Sequence, residues 1–188
     1  MSSTNHLLLV SQNLENHLQE FAGRCTPHRY YNADDRDSLL ATIGDKIRIV
    51  GTNGHDGCSR ELMQRLPNLE MIGCYGVGYD AIDIDAAKNL GIRVTNTPDV
   101  LSDAVAELTV GLMISLGRKI PQSDQFIRNG EWSPLNAYPL TAELTGKTVG
   151  ILGLGRIGKE VARRLQAMKM HVIYHGRSDQ ADEPYVYI

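Results

Sequence analysis

Thr148-Val149-Gly150-Ile151-Leu152-Gly153-Leu154-Gly155-Arg156-Ile157-Gly158 is the stretch from which the rest of the chain can be read. Its first five residues form a short apolar run of the length and β-branching expected of a buried strand. The next six spell G-x-G-x-x-G. Behind them Val161, Ala162, Leu165 and Met168 recur at helical spacing on one face, with Lys159, Arg163, Arg164 and Lys169 mostly on the other. A second apolar run, His171-Val172-Ile173-Tyr174, closes the unit as another strand. Strand, glycine loop, helix and strand in this order make the first half of a dinucleotide-binding fold.

The missing side chains explain the loop's chemistry. Gly153 permits the tight turn, Gly155 lets backbone approach a pyrophosphate, and Gly158 lets the helix pack close on the strand. The N–H groups of Leu154 to Gly158, at the positive end of the helix dipole, are the ones expected to face phosphates. Arg156, inside the fingerprint, can add a positive charge there.

The end of the second strand speaks to the cofactor. NAD-binding versions of the motif carry an acid about 20 residues past the glycines, which accepts hydrogen bonds from the ribose hydroxyls. Gly176 stands at that place, followed by Arg177 and Ser178, a guanidinium fork and a hydroxyl suited to phosphate oxygens. The reading is a preference for NADPH, with NADH possible. Asp179 is the one acid that could turn inward and take the missing role.

Upstream, strands and helices alternate. Strands are expected at His6–Val10, His28–Tyr31, Ile47–Val50, Leu69–Tyr75 and Ile92–Thr95; helices at Leu14–Phe21, Asp35–Ile43, Arg60–Leu66 and Asp85–Leu90. Such βα repeats imply a parallel sheet with helices on both faces. Ligands in these sheets bind beyond the carboxyl ends of strands. Asn53-Gly54 and Gly76-Val77-Gly78 sit at such ends, although both pairs are also ordinary turn sequences. Ser102 to Arg118 reads as a helix capped by Ser102 and apolar almost all round, buried against another domain or chain; Gly111 in its middle suggests a closely packed neighbour. Ile120 to Thr145 has weak periodicity and reads as an excursion before the glycine motif.

Composition excludes several classes. The chain has 188 residues, 42% hydrophobic and 22% charged, with a formal net charge of -3 and dispersed basic residues, which gives no sign of nucleic-acid binding. Leu7-Leu8-Leu9-Val10 is too short for a membrane span or signal core. Cys25, Cys58 and Cys74, odd in number and without C-x-x-C spacing, fit reduced thiols in the cytoplasm. The six histidines show no ligand spacing, so no metal site is expected.

Three motifs in order resemble the D-isomer-specific 2-hydroxyacid dehydrogenase family: Gly76-Val77-Gly78-Tyr79-Asp80, Gly91-Ile92-Arg93-Val94-Thr95-Asn96-Thr97-Pro98-Asp99-Val100-Leu101 and Val149 through Gly158. The run Val94 to Leu101 and His175-Gly176-Arg177-Ser178 look most like the glyoxylate/hydroxypyruvate and hydroxyphenylpyruvate reductases. The resemblance implies an α/β protein with parallel sheets: a flavodoxin-like substrate domain over residues 1–100 and the first part of a Rossmann domain over 101–188. It implies reversible hydride transfer between a nicotinamide cofactor and a small 2-oxo or 2-hydroxy acid. Backbone N–H groups at Val77 and Gly78 would hold the substrate carboxylate, and Asn53 and Gly54 would line the same cleft. Thr109 would donate a hydrogen bond towards the cofactor phosphates, and residues 102–145 would form a homodimer interface. The family's catalytic Arg, Glu and His have no counterpart in these residues, so no catalytic side chain is assigned here.

A full dinucleotide fold needs two βαβαβ halves. Lys147 to Ile188 supplies one βαβ unit, and Pro184-Tyr185-Val186-Tyr187 reads as the next strand starting. The sequence is therefore expected to belong to a longer chain, or else to need a partner over its open sheet edge. Other readings of the same residues are a non-catalytic cofactor-binding regulator, a dimerising module, and a phosphoglycerate dehydrogenase-like enzyme.

Overall fold

A computed structural model describes residues 5–188. The chain divides into two compact units, Met1–Pro98 and Asp99–Ile188.

The first unit is a five-stranded parallel sheet in the order β2-β1-β3-β4-β5, with β1 Asn5–Leu9, β2 Cys25–Arg29, β3 Ile47–Thr52, β4 Met71–Cys74 and β5 Arg93–Thr95. That is the flavodoxin-like order. Alternation along the strands sorts the core. Leu8, Val50 and Ile72 point to one face, and Ile47 joins them because the β1–β3 register shifts between His6 and Leu7. Leu40 and Ile43 of α1 (Arg36–Ile43), Leu62 and Met63 of α2 (Arg60–Gln64), and Ala86 and Ala87 of α3 (Ile84–Asn89) cover them. Each helix starts on a side chain that accepts from the first turn: Asp35, Ser59 and Asp83.

The other face departs from the expected helical cover. Leu7, Leu9, Ile49, Met71 and Tyr75 line an apolar groove with Leu14, Leu18 and Phe21. Those last three lie on a 3₁₀ helix, Gln12–Phe21, rather than an α-helix, and none of its residues is buried. With three residues per turn, Leu14 and Leu18 cannot stack on one stripe as they would in an α-helix.

At the sheet's edge, His6 Nδ1 lies 2.9 Å from His28 Nε2, with the rings inclined by only 10° and their centroids 5.1 Å apart. This is an in-plane N–H···N bond, which a pair of imidazoles makes only while at least one is neutral. Burial, then the neighbouring His6, then Lys46 depress the pKa of His28 below its ordinary 6.5. The unfolded chain therefore binds the proton more readily, and stability falls as pH drops through the region below 6.5. Thermal melts from pH 8 to pH 5 should show this decline, and His28→Gln should flatten it. A His28→Gln profile parallel to that of the wild type would remove the pair as its cause.

The second unit carries a three-stranded parallel sheet, β6-β7-β8, from Thr148–Leu152, His171–His175 and Val186–Tyr187. α6 (Arg156–Ala167) returns between β6 and β7 and buries Val161, Ala162 and Leu165. The buried Ala106 of α4 (Ser102–Gly117) joins this core with Leu154, Met170, Val172 and Tyr174. Arg164 ties α6 to α4 through Asp103 at 2.7 Å.

Three expectations for this unit change. Ser102 is the first residue of α4 and Leu101 the cap, with no side-chain cap bond, because Leu101 rather than Ser102 has left helical geometry. A Cβ at Gly111 would meet nothing within 4 Å, so no neighbour among the described residues explains that glycine. The supposed excursion contains a helix, α5 (Ile120–Arg128), with Pro121 in its first turn, where the missing N–H costs nothing. The outward face of α4 leaves Leu108, Leu112 and Leu116 60% or more exposed.

Candidate functional site

The glycine loop has the geometry its sequence demands. Gly153 sits at a φ of 90°, which disfavours any side chain, and its N–H donates to His175 O at 2.8 Å across to the end of β7. A Cβ at Gly158 would stand 2.3 Å from Gly153 O and 3.4 Å from a methyl of Ile151. Gly158 is thus what lets α6 begin against its own loop. A Cβ at Gly155 would meet nothing within 4 Å, so its face is open to an approaching group. No side chain caps the start of α6, which leaves its first N–H groups for an external acceptor. Leu154 is buried and Ile157 packs on the core, so these two anchor the loop with their side chains.

Arg156 is exposed, and its Nε lies 2.7 Å from Asp99 Oδ1. Asp99 itself has a φ of 69°. The positive charge foreseen at Arg156 is therefore shared with a carboxylate from the Pro98-Asp99 turn, a partner that spacing along the sequence does not reveal.

At the end of β7, Gly176 has open space where a side chain would be, and Arg177 and Ser178 are exposed. Asp179 is bonded to the core side of its loop. Its Oδ1 accepts a 2.7 Å hydrogen bond from the hydroxyl of Tyr174, which is fully buried. The same hydroxyl accepts from Gln180 N at 2.7 Å, and Gln180 Nε2 donates to Leu154 O at 2.8 Å. The Thr109 hydroxyl donates to Val105 O at 2.7 Å, the common i−4 bond of a helical threonine.

In the first unit, the two loops at strand ends do come together. A Cβ at Gly54 would lie 2.3 Å from Gly78 O. Asn96 Nδ2 donates to Val77 O at 2.8 Å and Cys74 Sγ lies 3.3 Å from Gly78 O, so the carbonyls are held by the protein. The Val77 and Gly78 N–H groups, by contrast, have no protein acceptor among the described residues. Asn53 spends its side chain mostly on its own loop: Oδ1 accepts from His55 N and Asp56 N, and Nδ2 donates to Asp56 at 2.9 Å and to Asn13 Oδ1 at 3.4 Å. Sequence reading overlooked Gly57, at a φ of 66°, where a Cβ would stand 2.0 Å from Ala81 O.

Residues 7–181 match the model of the D-isomer specific 2-hydroxyacid dehydrogenase catalytic domain. The chain belongs to this family. It is 39% identical over 178 residues to glyoxylate/hydroxypyruvate reductase A of Arabidopsis thaliana, covering 95% of this chain and 56% of that protein. It is 39% identical over 169 residues to hydroxyphenylpyruvate reductase of Plectranthus scutellarioides, covering 90% and 54%. Among solved structures, a 2-hydroxyacid dehydrogenase of Ketogulonicigenium vulgare superposes with a TM-score of 0.91 at 40% identity, covering 98% of this chain and 58% of that one. An NADPH-dependent glyoxylate/hydroxypyruvate reductase of Sinorhizobium meliloti, in complex with NADP and malonate, superposes at 0.83 and 34% identity, covering 99% and 57%. The chain spans about half the length of the curated relatives it matches.

The family's nicotinamide dinucleotide has a matching cradle in the second unit: an open Gly155, an uncapped helix start, and a β7 end free of a carboxylate at Gly176. Among the described residues no group of three or more His, Cys, Asp or Glu could hold a metal, and no helix is long and apolar enough to cross a membrane.

Proposed function

We propose that this chain forms the substrate domain and the adenosine side of the cofactor domain of an NADPH-dependent reductase of small 2-oxo acids, such as glyoxylate or hydroxypyruvate. The observation that carries the reading is the cradle's far end, where Gly176 replaces an acid and exposed Arg177 and Ser178 follow. The Sinorhizobium relative, described as NADPH-dependent and bound to NADP and malonate, supports both the cofactor and a small dicarboxylate-sized ligand.

The work divides between the units. The cofactor supplies the hydride. The loop Gly153, Leu154, Gly155, Arg156, Ile157 and Gly158 would hold its pyrophosphate through the N–H groups beyond Gly153, with Gly153 shaping the turn and Arg156 adding its charge beside Asp99. Gly176, Arg177 and Ser178 receive the 2′-phosphate. Thr109 would donate to the cofactor phosphates by turning its hydroxyl away from Val105 O. The unpaired Val77 and Gly78 N–H groups donate to the substrate carboxylate. Gly54 permits that loop to sit close, and Asn53 shapes the neighbouring turn. Acid–base chemistry falls to family residues without a counterpart here.

Exposed Leu108, Leu112, Leu116, Trp132, Leu135 and Leu140 make residues 102–145 the face of a homodimer. Three free thiols fit a reducing compartment such as the cytoplasm.

The test is NADPH oxidation by the whole protein with glyoxylate and with hydroxypyruvate. Turnover giving glycolate from glyoxylate and the D-2-hydroxy acid from hydroxypyruvate is expected. Cofactor binding without turnover of any 2-oxo acid would instead favour a cofactor-sensing regulator.

A further inference from the structure

We infer that Tyr174, Asp179 and Gln180 form a hydrogen-bonded staple that sets cofactor selectivity by fixing the loop Gly176-Arg177-Ser178. This rests on the proposal that Arg177 and Ser178 receive a 2′-phosphate.

Tyr174 lies on β7 with its side chain wholly inside the core of the second unit. An aromatic ring fills such a position without a hydroxyl, and a hydroxyl there is costly unless partnered. Here it has two partners, both on the far side of the loop: it donates to Asp179 Oδ1 and accepts from Gln180 N, each at 2.7 Å. The chain thus leaves the strand at His175, runs through Gly176, Arg177 and Ser178, and is caught again by a side chain from the strand it has just left. Gln180 Nε2 then fastens the end of the loop to Leu154 O, in the glycine fingerprint, at 2.8 Å. The phosphate-facing turn and the candidate 2′-phosphate loop are therefore held in one arrangement before any ligand binds.

The staple has an electrostatic side as well. An acid beyond this strand is the feature that selects against a 2′-phosphate. Asp179 is an acid within three positions of Gly176, and the Tyr174 hydroxyl fixes its carboxylate onto the core side of the loop. Without that hydroxyl, Arg177 loses its aim and Asp179 is free to turn towards the ribose. Both changes act against a 2′-phosphate and leave the 5′-phosphate side untouched. Tyr174 and Gln180 are positioning residues, since they work through Arg177 and Asp179.

Calorimetric titration of the whole protein with 2′,5′-ADP and with 5′-ADP tests this. For Tyr174→Phe, the affinity ratio between the two nucleotides should fall about tenfold, with 5′-ADP binding within about twofold of the wild type, since one charge-linked hydrogen bond is at stake. Adding Asp179→Asn to that variant should restore much of the ratio. Gln180→Ala, which leaves the core intact, should shift the ratio in the same direction and serves if Tyr174→Phe fails to fold. Equal weakening for both nucleotides would make Tyr174 a core residue only and overturn the inference. So would an unchanged ratio in these variants while Arg177→Ala lowers it. If Arg177→Ala leaves the ratio unchanged as well, the 2′-phosphate reading of the loop falls, and the staple's role with it.

Discussion

Gly158→Val is expected to weaken binding of NADPH by about a hundredfold and to lower the melting temperature, because overpacking against fixed atoms costs roughly 1–3 kcal/mol and disrupts the cradle too. The first atom of the new side chain would stand 2.3 Å from Gly153 O. That oxygen cannot swing away like the tip of a flexible side chain. It belongs to a turn whose φ of 90° is held by the bond from Gly153 N to His175 O. Either α6 lifts from β6 or the turn opens, and both move the N–H groups meant for the pyrophosphate. Gly155→Ala is the informative comparison. Its Cβ meets nothing within 4 Å, and its backbone, at φ −83° and ψ −162°, suits any residue. Gly155→Ala should melt like the wild type yet bind nucleotide less well, since only the ligand's approach is obstructed. If both variants bind as the wild type does, the loop is not a phosphate cradle.

Arg177→Ala should weaken NADPH binding about 10- to 100-fold while leaving NADH within about twofold, the range expected for charge-assisted bonds of roughly 1.5–3 kcal/mol. Arg177 is exposed, so the difference should shrink as salt is raised. Arg156→Ala should differ in kind. Its charge is shared with Asp99 and lies in the fingerprint, so both cofactors should lose affinity by a similar, smaller factor. Parallel losses in Arg177→Ala would return that residue to an ordinary solvated loop position.

Most strands, the order of βα units and the glycine loop were legible because each depends on local chemistry. β2 was not, lying at Cys25–Arg29 instead of the expected His28–Tyr31, since Pro27 reads as a breaker yet is tolerated on this edge strand. Ile47–Val50 and Val172–Tyr174 alternate or run apolar at strand length, whereas the caps Asp35, Ser59 and Asp83 emerge only from the structure. The 3₁₀ helix at Gln12–Phe21 was not legible as such, since Leu14, Leu18 and Phe21 satisfy an α-helical template equally well. Nor was α5, whose nine residues lack any buried position to mark a face. Contacts across the sequence were the other gap. Asp99 reaches Arg156, and Tyr174 catches Gln180, through folding alone.

The central claim is that an adenosine 2′-phosphate is read at the end of β7. Titrating the unmodified protein with NADPH and with NADH at one pH and one ionic strength tests it most directly. The account predicts tighter binding of NADPH by about tenfold or more, with the gap closing as salt rises. Equal affinities, or a preference for NADH, would contradict it.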